Sequence, residues 1–159
     1  MADEASVLIE SHPEHIEHVL DVLKIKRHFQ PKKMPAHPEL DADDRTDELG
    51  PELSSTYRSA VGTLLYIASG YPECQYTIRA LATWMAKPTV HAFACLKYFA
   101  GYLLGCTNQC LQLTFRPQHG LYNFYGDLVV LEVFCDSDWA TNKSSRKSVS
   151  ACCIMLYGC

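Results

Sequence analysis

The sequence predicts an α+β chain, with a mostly helical unit followed by a partial β-sheet. Between Tyr57 and Leu103, apolar residues recur at helical spacing in three successive segments with clear stops between them. From Cys110 onward the period falls toward two, and β-branched and aromatic residues gather around Val129–Phe134. At 159 residues and 48% hydrophobic composition, the chain has room for one ordinary globular domain with attached pieces.

Residues 1–10 show no periodic pattern. Ser11-His12-Pro13-Glu14 then places serine three before glutamate with proline inside the first turn. Ile16, Val19, Leu20 and Leu23 follow on one face. This predicts an N-terminal helix within residues 1–28, running to about Ile25 or His28. Residues 29–53 contain four prolines and the acidic run DADDRTDELGPE, without apolar periodicity, so a linker is expected there.

The helical region spans 54–127. Its first helix puts Tyr57, Ala60, Val61, Leu64, Leu65 and Ala68 on one face, with Ser54, Ser55 or Thr56 as cap and Gly70 as terminator. The second opens at Pro72-Glu73, carries Cys74, Ile78, Leu81, Ala82 and Met85, and closes at Lys87-Pro88, because a residue before proline is pushed out of the helical region. The third has Thr89 as cap, Ala92, Leu96, Phe99 and Leu103 in register, and a stop at Gly105. Short breaks between three helices predict an up-and-down packed unit.

Cys110, Leu111, Leu113 and Phe115 read as a short strand, with Tyr122–Tyr125 pairing back after a turn at Pro117–Gly120. Val129–Asp136 and Val149–Tyr157 predict two longer strands joined by a polar turn at Thr141–Lys147. A hairpin is marginal by itself, so residues 128–159 are expected either to dock on the helices or to remain an aggregation-prone segment.

The net charge of −4 conceals a division. Residues 1–52 carry six basic and thirteen acidic side chains, a balance of −7, whereas residues 53–159 carry eight and five, a balance of +3. The mildly basic part suits a phosphate backbone without demanding one. No apolar run approaches the roughly 18 residues of a membrane span, and the acidic start is unlike a secretory signal. The eight cysteines, mostly within apolar segments, are therefore expected to be reduced thiols of an intracellular protein with no membrane partner. Neither the Cys106/Cys110 pair with His91 and Cys95 nor the His12/His15/His18 triplet shows the two paired half-sites of structural zinc.

YRSAVGTLLYIAS, then a helix ending in MAKPT, then HAFACLKYFAGYLLGCTN, resembles the region after the polymerase active site in copia-type retrotransposon reverse transcriptases. The likeness covers roughly Ile16 to the end, and its departures are Tyr71-Pro72-Glu73 and Leu104-Gly105-Cys106-Thr107. It implies that residues 1–28 end the palm and enter the thumb, and that 54–127 form a connection region. It further implies that this part of the Pol polyprotein contacts template–primer, an RNA–DNA hybrid. Arg58, Arg79, Lys87 and Lys97 are the candidate phosphate contacts, and Tyr98 and Tyr102 the candidate stacking rings.

The most chemical-looking motif is VFCDSDWA, in which an apolar strand delivers Asp136 at its end and Asp138 two residues later. Hard cations such as magnesium need clustered carboxylate oxygens, but Asp-x-Asp after a strand is also a common turn. FCDSDWA followed by RKSVSACCIMLYG resembles the first hairpin of the copia-type ribonuclease H domain. The resemblance makes Asp136 a magnesium ligand and catalytic carboxylate of the parent enzyme, and Asp138 a supporting metal residue. The further carboxylates of that site have no counterpart in the 23 residues after Asp136, and the aspartate pair of a polymerase hairpin is absent, Asp43-Asp44 lying in the polar linker. The expectation is a fragment of the polyprotein that neither polymerises nor cleaves nucleic acid by itself and holds no cofactor alone. The competing reading is a small helical protein-interaction module with no nucleic-acid role, in which the basic residues scatter over the surface.

Overall fold

The computed structural model describes residues 6–10, 13–25, 31–40, 47–106, 109–114, 131–139 and 148–156. They divide into a helical unit, residues 10–111, and a strand unit, residues 1–9 with 112–159. The mixed α and β composition matches the expectation of an α+β chain.

The helical unit holds α1 (Pro13–Val22), α2 (Pro51–Ile67), α3 (Gln75–Thr83) and α4 (Val90–Leu103). Each helix packs on at least two others: α1 on α2 and α4, and α3 on α2 and α4. The buried faces are those that the apolar spacing picks out. Ile16, Val19, Leu20 and Leu23 come from the first helix and its end, Tyr57, Ala60, Val61, Leu64 and Ile67 from α2, Ile78 and Leu81 from α3, and Ala92, Leu96, Phe99 and Leu103 from α4. Burying each large side chain contributes about 1.5–3 kcal/mol, so this common core holds the unit together. Leu65 departs from its expected place. It is 47% exposed, because its neighbour Leu64 already occupies the centre of the α2 stripe.

The ends of the helices differ in instructive ways. α2 begins at Pro51, one turn before the expected serine and threonine caps. Its N-cap is Gly50, and Ser54 lies inside the helix, where its hydroxyl donates to the Leu49 carbonyl at 3.1 Å. The helix tightens into a 3-10 turn at Ala68–Gly70, and a second such turn, Pro72–Cys74, leads into α3. α3 ends at Thr83, before the expected Lys87. Thr89 caps α4 as expected, accepting from the Ala92 amide at 3.1 Å.

α1 is shorter than expected and ends in a Schellman arrangement. The Lys24 amide donates to the Asp21 carbonyl at 3.0 Å, the Ile25 amide to the Leu20 carbonyl at 2.8 Å, and Lys24 has a left-handed φ of 56°. The described parts of residues 29–53 do not behave as a spacer. Leu40 is 2% exposed within the core, and Lys32 donates its amide to the Gly101 carbonyl at 3.1 Å. The Leu49 amide bonds the Pro88 carbonyl at 2.8 Å, and the Val90 amide bonds the Asp47 carbonyl at 3.0 Å. The prolines and polar residues of this stretch remove periodicity without removing docking.

β1 (Ser6–Glu10), which the sequence did not predict, pairs with β2 (Cys110–Thr114). β3 (Leu131–Ser137) and β4 (Ser150–Leu156) form an antiparallel pair in which Leu131 opposes Leu156 and Ser137 opposes Ser150. Phe115, the Tyr122–Tyr125 segment, the Thr141–Lys147 turn, Ser11 and the acidic pair Asp43-Asp44 lie outside the described residues.

Candidate nucleic-acid interface

The six nucleic-acid candidates fall on α2, α3, α4 and the turn between α3 and α4, and do different things. Tyr57 and Arg58, adjacent on α2, both address the end of α3. The buried Tyr57 hydroxyl donates to the Leu81 carbonyl at 2.7 Å. Arg58 sends Nε to the Met85 carbonyl at 2.8 Å and Nη2 to the Ala86 carbonyl at 3.2 Å. Carbonyls after a helix's last turn lack intrahelical donors, and a guanidinium both satisfies them and complements the negative end of the helix dipole. Lys87, next in the chain, sits 3.4 Å from Glu48, an exposed pair that contributes little. Arg79 is exposed on α3.

On α4, Lys97 lies over the Phe93 ring with Nζ 4.9 Å from its centroid. Tyr102 is stacked on Phe99 at 6.3 Å and 12°. Partial burial, then contact with the Cys106 thiol, pushes the Tyr102 phenol well above its ordinary range. Tyr102 is thus a packing residue rather than an open stacking platform.

Tyr98 instead joins a strip of half-buried rings that includes residues absent from the sequence-based candidates. Lys32 Nζ lies 5.4 Å from the Tyr98 centroid. The His37 ring meets Tyr98 edge-on at 5.0 Å, and His91 is 6.4 Å from His37 and 6.1 Å from Trp84. The strip is held by backbone contacts: the Glu39 amide donates to His37 Nδ1 at 3.1 Å, and His91 Nε2 donates to the Glu39 carbonyl at 3.0 Å. That donation commits the His91 Nε2 hydrogen, so His91 is no base for Cys95, whose buried sulfur lies 3.6 Å away. His91 and Tyr98 are seven residues apart on α4, which places them on one face. That spacing is the signal that could have found them, whereas nothing local in the sequence brings Lys32 or His37 to α4.

The two carboxylates of the second motif are on β3 and just beyond it. Asp136 is exposed and opposes Ala151. Asp138 closes the hairpin: its amide donates to the Val149 carbonyl at 2.9 Å, and its Oδ1 accepts from the Val149 amide. An oxygen so engaged is a poor metal ligand. Among the described residues no three His, Cys, Asp or Glu side chains gather as a metal site. The described residues therefore do not by themselves fit a magnesium centre, which takes about six oxygen ligands. Among the same residues no helix is long and apolar enough to cross a membrane.

An uncharacterized mitochondrial protein of Arabidopsis thaliana is 33% identical to this chain over 105 residues, which cover 66% of the chain and 39% of that protein. The retrovirus-related Pol polyproteins from the Arabidopsis transposons RE1 and RE2 are 30% and 29% identical over 100 residues, 63% of the chain and 6% of each polyprotein. The chain is a homologue of retrotransposon Pol polyproteins. The matches agree in kind with the motif resemblance, and the chain spans 39% of the mitochondrial protein and only a small part of the two polyproteins. No protein-family model matches the sequence. No solved structure matches it either.

Proposed function

We propose that this chain is a segment of a copia-type reverse transcriptase and ribonuclease H polyprotein, and that its helical unit contacts the template–primer duplex. The strip running from Lys32 over Tyr98 and His37 to His91 and Trp84 carries this reading, because it combines a cation with a row of ring faces and edges. Lys97 and Arg79 add charge near phosphates. Arg58 serves mainly to hold the turn after α3, and Lys87 makes an exposed pair with Glu48.

In this reading β3 and β4 are the opening hairpin of the ribonuclease H sheet. Asp136 is the exposed carboxylate near the end of β3 in this hairpin, and the remaining metal ligands belong to other parts of the polyprotein. Catalysis is then a property of the assembled polyprotein, and an RNA–DNA hybrid and the rest of Pol are the partners.

The test is binding of the purified chain to a labelled RNA–DNA hybrid at two salt concentrations. Affinity that falls steeply with salt, and falls again in Lys32→Ala and Tyr98→Ala, is the expected result. A folded chain that does not bind at low salt overturns the proposal and leaves the protein-interaction module.

A further inference from the structure

We infer that Cys135 and Cys152 form a redox-modification site, an exposed dithiol on the β3–β4 hairpin that a low-molecular-weight disulfide of the glutathione type converts to a cross-strand disulfide. The two residues are direct partners in the antiparallel register, and their sulfurs are 3.6 Å apart.

The type of pair favours closure. The Asp138 amide bonds the Val149 carbonyl in the continuation of the same register, which makes Asp138 and Val149 a hydrogen-bonded pair. Pair types alternate along an antiparallel ladder, so Cys135 and Cys152, three pairs further in, are of the non-hydrogen-bonded kind. Opposed Cα atoms of that kind are roughly 4.5 Å apart, inside the window of about 4.4–6.8 Å that a disulfide spans. A change of side-chain rotation brings the sulfurs to bonding distance without moving the strands.

The pairing is also selective. Cys153 is the next residue on β4, but successive strand residues face opposite sides, and its partner is Phe134. Cys74, Cys95 and Cys106 are buried, whereas Cys135 and Cys152 are both exposed to a soluble oxidant. Cys135 pushes the Cys152 thiol above its ordinary value, so reaction quickens in mild alkali, as the thiolate is the nucleophile.

The exchange balances in two steps. One protein thiol loses its proton, and its thiolate attacks oxidised glutathione, giving a mixed disulfide and one glutathione thiolate. The second protein thiolate attacks the protein sulfur of that mixed disulfide and expels the second glutathione. The protein dithiol loses two electrons, one glutathione disulfide gains them, and the two thiol protons end on the two glutathiones. The product is a covalent ring through residues 135–152, which locks the register of the strand bearing Asp136.

The full-length reduced chain is treated with oxidised glutathione, its remaining thiols are alkylated, and its peptides are weighed. The expected result is a peptide pair joined through Cys135 and Cys152, lighter by two hydrogens. It is lost in Cys135→Ser and in Cys152→Ser and retained in Cys153→Ser. In denaturant its preference over other pairings is lost, which marks the selectivity as a property of the fold. Stable glutathione adducts on both cysteines without a joined peptide, or joining to Cys153 or to a second chain instead, overturns the inference.

Discussion

Arg58 and Met85 are joined across 27 residues of sequence by a 2.8 Å hydrogen bond from the guanidinium Nε to the main-chain carbonyl. With the second bond to Ala86, the planar fork spans the turn after α3. Lysine has no such fork, so it cannot make both bonds in that geometry. Arg58→Ala is expected to cost about 1 kcal/mol in denaturant unfolding, the value of a charge-assisted bond reduced by exposure, and Arg58→Lys is expected to recover less than half. The salt dependence of hybrid binding should stay the same in Arg58→Ala. A slope reduced by about one would instead assign Arg58 to a phosphate.

Lys24 holds a left-handed φ of 56° at the end of α1, a conformation in which a β-carbon is strained and glycine is not. Both Schellman hydrogen bonds come from main-chain amides, so they survive removal of the side chain. Lys24→Gly is expected to stabilise the helical unit by about 0.5–1 kcal/mol, read as a raised urea midpoint with an unchanged slope.

Gly62 lies inside α2, and a β-carbon built there meets nothing within 4 Å. A glycine in a helix interior costs roughly 0.5–1 kcal/mol relative to alanine. Gly62→Ala should therefore raise the melting temperature by several degrees. A fall in melting temperature would show that the space beside Gly62, Thr63 and Tyr66 is occupied in solution.

The core was legible in the sequence because it is local. Tyr57, Val61 and Leu64, or Ala92, Leu96 and Phe99, need only helical spacing to be grouped, and the structure buries them together. The strands β3 and β4 were legible for the same reason, as both are short runs of strand-forming residues, whereas their register comes from the structure. What was not legible depends on distant partners or on rules that one residue breaks. The end of α1 was missed because a lysine takes the place that glycine usually marks. β1 was missed because five residues show no pattern until β2 pairs with them. The ring strip was missed because Lys32 and His37 come from a proline-rich segment that reads as a spacer.

Cys74 shows how burial sets a pH limit. Its side chain is inaccessible, and burial first, with the nearby Glu73 carboxylate second, pushes its thiol from the ordinary 9.0 up to about 12. A raised folded value means that the unfolded chain gives up this proton first as pH rises. The thiol's contribution to stability is whole below pH 9 and drains away between 9 and 12, at about 1.4 kcal/mol per pH unit at most. Chemical denaturation at pH 8 and pH 10 should show the loss, and Cys74→Ala, although less stable at pH 8, should show a smaller one. Alkylation of the native chain should label Cys74 far more slowly than the exposed Cys135.

Asp138 separates a hairpin clasp from a metal ligand by a simple pair of substitutions. Its Oδ1 takes the Val149 amide while its own amide serves the Val149 carbonyl, so one residue closes both sides of the pair that ends the β3–β4 ladder. Asparagine keeps an acceptor oxygen and loses the charge, and alanine loses both. If the role is the clasp, Asp138→Asn should leave hydrogen exchange at the Val149 amide within a few-fold of the parent, while Asp138→Ala, having lost a bond of roughly 1 kcal/mol, speeds it several-fold. Magnesium should change neither rate. If magnesium slows exchange in the parent chain and not in Asp138→Asn, the carboxylate charge is doing the binding, and Asp138 belongs to a metal site after all.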